Sequence, residues 1–272
     1  MPVLRHRRDR PGEGREAAQV RARPGGRLPV CRGRRGLVSA PAGEWARPSW
    51  LERAAAAVRA ADEGFFAQFA PPSTGGVHSS VLLLFGPADG GGEDVVLTER
   101  AHTLRSQPGQ VSFPGGKREP TDASDTAAAL RETQEEVGID PATIDVVADL
   151  PQIYLAPRSF VVTPVLGWWR QPGTVDAVDP REVHRAVRAP LSHLLDPASR
   201  FTVTHPSGYR GPGFEVDGLF VWGFTAGLLS AVLDFGGLTV PWDRSVERPL
   251  PDTYRPGGRR DALTQTATEG RA

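Results

Sequence analysis

The chain has 272 residues, which is enough for one large domain or two small ones. Its single cysteine, Cys31, excludes an internal disulfide framework and any multi-cysteine metal site. The net charge is zero, but eleven arginines and only three acidic residues lie in residues 1–37, so the rest of the chain carries a net charge of −8. A domain this acidic is not expected to bind nucleic acid.

Both ends of the chain are predicted to be tails. Residues 1–47 are rich in Arg, Gly and Pro and show no helical or strand periodicity, which predicts disorder. Alternatively, this segment is a basic arm for an anionic partner, or it is not native because translation starts at an internal valine codon such as Val30 or Val38. Residues 48–243 are predicted to form one domain, and residues 244–272 a flexible C-terminal tail.

The predicted elements between these tails mix strands with helices. Apolar runs of strand length lie at Val77–Phe85, Val95–Arg100, Val111–Phe113, Ile144–Leu150, Ile153–Leu155, Phe160–Trp169, Phe201–His205 and Leu219–Trp222. Helical patterns lie at Ser49–Phe69, Ser124–Val137, Leu191–Leu195 and Phe224–Leu233. The first two strands have the spacing of a hairpin, and Gly138 is predicted to end the second helix. This order of elements predicts one α/β or α+β domain.

No segment has the length and composition of a membrane span. The longest uncharged run, Gly218–Leu233, has 16 residues and is interrupted by Gly, Thr and Ser, so it is too short and too polar to cross a bilayer. The basic start of the chain is not followed by the apolar stretch of an export signal. We therefore expect a cytoplasmic protein with no membrane partner.

The helix predicted at 124–137 carries an acidic cluster. At about 100° per residue its buried stripe is predicted from Thr126, Leu130, Thr133 and Val137. Three carboxylates are predicted to converge on the opposite side: Glu132, Glu135 and Glu136. Carboxylates this close repel one another unless a cation lies among them. Ligands that are all oxygen favour Mg²⁺ or Mn²⁺, which could polarise a phosphoryl group and activate a water.

The simpler interpretation of this cluster is a solvated helix face on which Arg131 makes ordinary intrahelical pairs. Two neighbouring features favour the metal site instead. The Gly115-Gly116 turn precedes the helix and lets backbone amides approach a ligand. In addition, Gly138 and Ile139 end the helix directly after the acidic cluster.

This segment resembles the signature of the Nudix hydrolases, which cleave nucleoside diphosphates linked to another moiety. The matching residues are Arg131, Glu132, Glu135, Glu136, Gly138 and Ile139. Thr133 replaces an aliphatic residue, Asp122 replaces the early Glu, and eight rather than seven residues separate Asp122 from Arg131. The resemblance implies an α/β/α sandwich with a mixed sheet. It also implies catalytic roles for the three glutamates and for Arg131, whose expected part is to orient a glutamate.

A second motif lies directly upstream and resembles that of the coenzyme A diphosphatase branch of this family. The matching residues are Leu97, Thr98, Arg100, Ala101, Arg105, Gly109, Phe113, Pro114, Gly115 and Gly116. The longer loop before the helix and the segment Trp222–Ala226 are also typical of that branch. The resemblance implies hydrolysis of coenzyme A or acyl-CoA to 3′,5′-ADP and 4′-phosphopantetheine or its acyl form.

Residues of the second motif are expected to bind the substrate. Arg100 and Arg105 offer planar donor pairs for phosphate oxygens, although salt bridges to nearby acids are the alternative. Gly109, Gly115 and Gly116 would let the backbone turn tightly beside the ligand.

Other assignments stay open at this stage. Phe113 is expected in the core, and His102, a lone loop histidine, is expected to face solvent. The general base is one of the three glutamates or an acidic residue outside the motif. The alternative functions are a Nudix pyrophosphatase for NADH, ADP-ribose or an oxidised nucleotide, and a non-catalytic ligand-binding or regulatory module.

Overall fold

Two parallel strands form the centre of the fold: β1 (Val77–Pro87) and β7 (Phe160–Trp169). We analysed a computed structural model that describes residues 45–60, 66, 69–72, 75–156 and 159–254. Both central strands are almost continuously apolar, and most of their residues are buried. Such runs are typical of strands that are covered on both faces.

The main sheet has eight strands and is mixed. Besides β1 and β7 it contains β2 (Glu93–Arg100), β3 (Val111–Ser112), β4 (Gly115–Lys117), β5 (Ile144–Asp149), β6 (Ile153–Leu155) and β8 (Val183–Pro190). The order across the sheet is β3-β2-β1-β7-β5, while β4, β6 and β8 pair with β1, β7 and β2 respectively. The predicted hairpin is confirmed, because β1 and β2 pair antiparallel with Phe85 opposite Val95.

Helices cover both faces of this sheet. They are α1 (Ser49–Ala60), α2 (Asp125–Val137), α3 (Leu191–Leu194) and α4 (Gly223–Phe235). Because side chains alternate along a strand, Leu82 and Leu84 of β1 pack with α2, whereas Leu83 and Phe85 pack with α1 and α4. The α/β/α sandwich with a mixed sheet, which the family resemblance implied, is confirmed.

A second sheet has four strands: β9 (Arg200–Thr204), β10 (Arg210–Val216), β11 (Leu219–Val221) and β12 (Glu247–Pro249). Their order is β11-β10-β9-β12, and β12 runs parallel to β9. Strand β12 lies in the segment predicted as a flexible tail, so that prediction is wrong for residues 247–254. The reason is tertiary: Leu250 is buried against Phe201 and Val203, which supplies the core contact that the segment's own composition lacks.

The N-terminal boundary also differs from the prediction. Residues 1–44 of the predicted tail lie outside the described part of the chain. Trp45 is already joined to the domain, because its N–H donates to Arg170 O at 2.9 Å and its carbonyl accepts from Trp168 Nε1 at 2.9 Å. Helix α1 is described as Ser49–Ala60, and most of its predicted extension to Phe69 lies outside the described residues.

The sequence did not predict β4, β8, β10 or β12. These strands contain Gly, Pro or Arg residues whose partners are distant in sequence. In β8, for example, Arg185 donates to Glu99 at 2.6 Å and Arg188 faces Asp94 at 2.8 Å. Within the described residues, no helix combines the length and the hydropathy that a membrane crossing requires.

Candidate active site

Local capping fixes the ends of the helix that carries the acidic cluster. Ser124 precedes α2 in an extended conformation, and its hydroxyl accepts from Ala127 N at 3.0 Å. Gly138 ends the helix with φ 73°, and its N–H donates to Gln134 O at 3.0 Å. The predicted start and end of this helix are therefore confirmed.

The buried face of α2 agrees with the prediction only in part, because Thr133 and Val137 are buried as predicted. The buried residues are Ala128, Ala129, Thr133, Glu136 and Val137, whereas Thr126 and Leu130 are only partly buried. The face is rotated because α2 packs on β1 and β4, and β4 begins with two glycines that leave room for carboxylates. Glu136 thus lies at the edge of the interface and not on the solvent side.

Glu136 is anchored by the first of these glycines. The Gly115 N–H donates to Glu136 Oε2 at 3.1 Å, and only 9% of Glu136 is exposed. Burial raises the pKa of Glu136 from 4.5 to about 7, and the charge of Glu132 adds to the rise. Gly115 has φ 155°, and a Cβ there would overlap with the backbone oxygen of Ser80. Only glycine fits at this position.

The second glycine makes room for the neighbouring carboxylate. A Cβ at Gly116 would overlap with the carboxyl group of Glu132, although the backbone conformation of Gly116 itself is an ordinary one. Burial raises the pKa of Glu132, and the guanidinium of Arg131 opposes this rise. The two glycines therefore place Glu132 and Glu136 against the same short strand.

Arg131 connects the loop before α2 to the glutamates. Its Nε and Nη2 donate to the two carboxyl oxygens of Asp122, both at 3.0 Å, and Nη2 also donates to Lys117 O at 3.1 Å. Its Nη1 lies 3.1 Å from Glu132 Oε1 and 2.8 Å from Glu135 Oε2. Arg131 is thus a positioning residue for two glutamates, as expected.

Asp122 has a defined part in this arrangement, although it departs from the family signature. Its side chain is only 6% exposed, and both oxygens accept from Arg131. The hydrogen bond from Arg131 holds the pKa of Asp122 below its ordinary value. Asp122 therefore stays ionised and holds the guanidinium in place.

The predicted convergence of three glutamates needs correction. Glu135 pairs with Arg131, and its side chain is 59% exposed. The carboxyl oxygens of Glu132, Glu135 and Glu136, all within the described residues, are not all within 4.8 Å of one another. Arg131 Nη1 contacts both Glu132 and Glu135, whereas Glu136 is held in the interface by Gly115. Glu135 is mostly exposed, so Glu132 and Glu136 are the inner pair.

The two arginines of the upstream motif have different environments. Arg100 ends β2, and its charge lowers the pKa of Glu136. Its Nε is buried and has no hydrogen-bond partner among the described residues. Arg105 is exposed in the loop after β2 and makes no hydrogen bond or ion pair with any residue that the structure describes. Both side chains therefore keep donors for a ligand.

Backbone hydrogen bonds close the loop that carries Arg105. Gly109 N–H donates to Arg100 O at 3.1 Å, and Arg100 N–H donates to Gln110 O at 2.9 Å. Gly109 has φ 67°, so the predicted tight turn at this glycine is confirmed. Phe113 is buried, as predicted.

Sequence reasoning missed an acidic residue near the glutamates and a cavity at the loop before α2. The first is Glu182, whose charge raises the pKa of both Glu132 and Glu136. It lies 46 positions after Glu136 and in no recognisable motif, so only the fold brings it close. The second is an open cavity of about 460 Å³, lined by Val77, His78, Lys117, Arg118, Glu119, Pro120 and Asp122.

The inner pair of carboxylates fits a hard divalent cation. A buried glutamate with a pKa of about 7 lacks full compensation for its negative charge, and a cation would supply it. All the nearby acidic ligands offer oxygen, which suits Mg²⁺ or Mn²⁺ better than softer metals. Glu132 and Glu136 would hold such an ion, with the exposed Glu135 at the rim.

Comparisons with known proteins identify the family. A family model for the NUDIX domain matches residues 77–205. The chain is 38% identical over 142 residues to an uncharacterized Nudix hydrolase, NudL, of Enterobacter sp. (strain 638), and the match covers 50% of this chain and 71% of that protein. The chain belongs to the Nudix hydrolase family. Both motifs of this Nudix domain, residues 97–116 and the acidic helix, lie inside the matched range.

Two further comparisons show the range of similarity. The chain is 33% identical over 163 residues to Nudix hydrolase 15, mitochondrial, of Arabidopsis thaliana, and it spans 56% of that protein's length. The crystal structure of a Nudix hydrolase from M. smegmatis, RenU, superposes with a TM-score of 0.44 at 15% identity, covering 65% of this chain and 98% of that one.

Proposed function

We propose that this Nudix protein hydrolyses the diphosphate bond of coenzyme A and of acyl-CoA in a reaction that depends on Mg²⁺ or Mn²⁺. The products would be 3′,5′-ADP and 4′-phosphopantetheine or its acyl form. The proposal rests on the upstream motif and on the charge of its Arg100 near Glu136. The names of the NudL and Arabidopsis relatives specify no substrate.

The guanidinium of Arg100 is the observation that carries the proposal. Its charge lowers the pKa of Glu136, and the guanidinium makes no hydrogen bond or ion pair with any residue that the structure describes. An arginine near the inner glutamates with no ion-pair partner of its own would donate to a phosphate oxygen of the substrate. Arg105 offers a second, exposed guanidinium, and a substrate with a 3′-phosphate and a diphosphate needs several such donors.

Different residues of the chain would bind the ion, position its ligands and bind the substrate. When bound, the divalent ion would neutralise charge on the diphosphate and lower the pKa of a water. Glu132 and Glu136 would hold this ion, while Asp122 and Arg131 keep Glu132 in position. Arg100 would bind a phosphate oxygen, and the lining of the open cavity would contact another part of the substrate.

A group that accepts a proton from the attacking water must titrate near neutral pH. Glu136, with a pKa of about 7, meets this condition without an ion. Glu182, whose charge raises the pKa of both inner glutamates, is a second candidate on position alone, since it would not be occupied as a ligand of the ion. Removing the base should lower kcat far more than it changes KM.

The direct test is a substrate panel with the full chain and either metal: coenzyme A, dephospho-CoA, NADH and ADP-ribose, with products identified by mass spectrometry. We expect the highest kcat/KM for coenzyme A and release of 3′,5′-ADP. A clear preference for dephospho-CoA, which lacks the 3′-phosphate, or for NADH would overturn the substrate assignment. No turnover of any diphosphate would favour the non-catalytic module.

Matched arginine variants separate substrate binding from general charge effects. Arg105→Gln should raise KM for coenzyme A by roughly 10-fold or more, since a hydrogen bond to a charged group contributes about 1.5–3 kcal/mol. Arg210→Gln is the control, because Arg210 is also an exposed arginine but pairs with Glu247 on the second sheet. Equal effects of the two variants would exclude a specific role for Arg105.

A further inference from the structure

A second group of metal-ligating side chains contains no residue of the acidic helix. Glu99, His102 and His184 offer ligand atoms that all lie within 4.8 Å of one another, and among the described residues they are the only such group of three. His102 Nε2 is 3.0 Å from Glu99 Oε1, and the rings of His102 and His184 meet edge to face with centroids 4.7 Å apart. The three residues come from β2, the loop after it, and β8.

An irregularity in the sheet explains why His184 belongs to this group. In the pairing of β2 with β8, Glu99 lies opposite Arg185 and Arg100 lies opposite Val183, so His184 is the extra residue of a β-bulge. In a regular strand His184 and Arg185 would point to opposite faces. The bulge re-aims the chain, and both side chains reach the Glu99 region.

The position of His102 depends on a glycine of the same loop. A Cβ at Gly109 would lie 2.8 Å from both Cε1 and Nδ1 of the His102 ring. Gly109 therefore provides the space in which this imidazole packs. The expectation that His102 faces solvent is confirmed, since its side chain is 45% exposed, but the ring also has partners on two strands.

The Glu99 carboxylate is oriented as metal ligands usually are. Arg185 Nε donates to Glu99 Oε2 at 2.6 Å, which leaves Oε1 on the side of His102. The Glu99 side chain is only 13% exposed. Hydrogen bonds from a second group commonly fix ligating carboxylates in this way.

We propose that Glu99, His102 and His184 form a binding site for a Zn²⁺-like transition-metal ion, separate from the Mg²⁺ or Mn²⁺ site of the acidic helix. Two imidazoles and a carboxylate suit Zn²⁺, Co²⁺ or Ni²⁺ better than Mg²⁺. Tetrahedral ligand bonds of about 2.0–2.2 Å place neighbouring ligand atoms roughly 3.3–3.6 Å apart, a little more than the 3.0 Å observed between Glu99 and His102. Three protein ligands leave a coordination position open to water.

A bound ion would clamp the loop of the upstream motif. Glu99 and His184 are on paired strands, whereas His102 is within the loop, so the ion would tie the loop to the sheet. That loop carries Arg105 and closes on the backbone of Arg100. Binding of a transition-metal ion would therefore order the loop that we propose to bind the substrate.

Calorimetric titration of the untagged full chain with Zn²⁺, in saturating Mg²⁺ to fill the acidic site, tests the proposal. We expect one Zn²⁺ per chain. Loss of an outer-shell partner weakens metal sites by roughly 10- to 100-fold, so His102→Gln and His184→Gln should each weaken binding by at least about 100-fold. His205→Gln is the matched control, since His205 is exposed and bonds only within its own turn.

Several outcomes would overturn the site. They are absence of Zn²⁺ binding in saturating Mg²⁺, unchanged binding in both His variants, or equal loss in the His205→Gln control. Folding of each variant is checked by circular dichroism, and a visible Co²⁺ spectrum that changes on His184→Gln reports the imidazole ligand directly. Glu136→Gln should retain this Zn²⁺ site, so failure here is distinguishable from failure of the proposed hydrolysis.

Limited trypsin digestion tests the clamp itself. Arg105 is exposed, and mass spectrometry can follow cleavage after it separately from other sites. Zn²⁺ should slow this cleavage in the wild type and in His205→Gln but leave it unchanged in His184→Gln. Equal rates with and without Zn²⁺ in the wild type would refute the clamp.

Discussion

Replacing Glu136 with Gln should stabilise the metal-free protein at alkaline pH while removing a ligand of the proposed active site. The carboxylate is buried, and within the described part of the chain only the Gly115 N–H donates a hydrogen bond to it. The Gln side chain has the same shape, and its carbonyl oxygen can still accept from Gly115. The variant therefore removes the buried charge with little change in packing.

The magnitude follows from the pKa of Glu136. Burial raises it from 4.5 to about 7, so between these values the folded state binds more protons than the unfolded state. The free energy of unfolding must therefore fall as pH rises. The stabilising contribution of the protonated Glu136 carboxyl is fully present below pH 4.5 and is lost above about pH 7. Between pH 5 and pH 8 the wild type should lose about 2.5 kcal/mol that the Gln variant does not lose.

Urea unfolding of both proteins in a chelator, at pH 5 and at pH 8, measures this difference. Other groups titrate in both proteins, so only the change in the gap between them reports Glu136. Adding Mn²⁺ at pH 8 should restore stability to the wild type by mass action and much less to the variant. If the difference in the free energy of unfolding between the two proteins is the same at pH 5 and at pH 8, Glu136 does not carry a buried charge and its raised pKa is refuted.

Two further predictions separate folding from positioning. Gly115→Ala should lower the free energy of unfolding by roughly 2–5 kcal/mol, because it combines backbone strain with a clash against a strand. Gly116→Ala should stay within about 1 kcal/mol of the wild type and should instead weaken Mn²⁺ binding, because the new methyl group displaces Glu132. Urea unfolding and Mn²⁺ titration measure both effects, and equal free energies of unfolding for the two variants would contradict this prediction. Asp122→Asn should lower kcat roughly 10-fold with little change in KM, because Arg131 loses its anchor; an unchanged kcat would show that Arg131 needs no support.

Local chemistry was sufficient for much of the fold. The long apolar strands β1 and β7 and the capped helix α2 were predicted at or near their observed bounds, because their signals are within the segments themselves. Strands β8 and β12 were missed because their stability comes from contacts with distant residues. From the sequence alone, the arginines of β8 suggest a solvent-exposed segment. In the structure they pair with Glu99 and Asp94 of β2.

Periodicity predicted only part of the buried face of the acidic helix, because Thr133 and Val137 are buried as predicted but Glu136 is buried as well. A helical wheel weighs every apolar residue alike, so it centred the buried face on Leu130. The partner surface decided otherwise: two glycines of β4 leave space that carboxylates fill, and Glu136 moves into the interface. A helical wheel describes only the helix itself, so it contains no information about the surface on which the helix packs.

The amino-acid order by itself determined the family, the helix ends and the residue types of the candidate site, because those depend on spacing along one segment. Only the tertiary structure decided which glutamates form the inner pair, that Asp122 holds Arg131, and that Glu182 lies near both inner glutamates. It also brought His102 and His184 together across 82 positions of chain. Charges and imidazoles act over a few ångströms of space, and chain folding, not sequence distance, sets those separations.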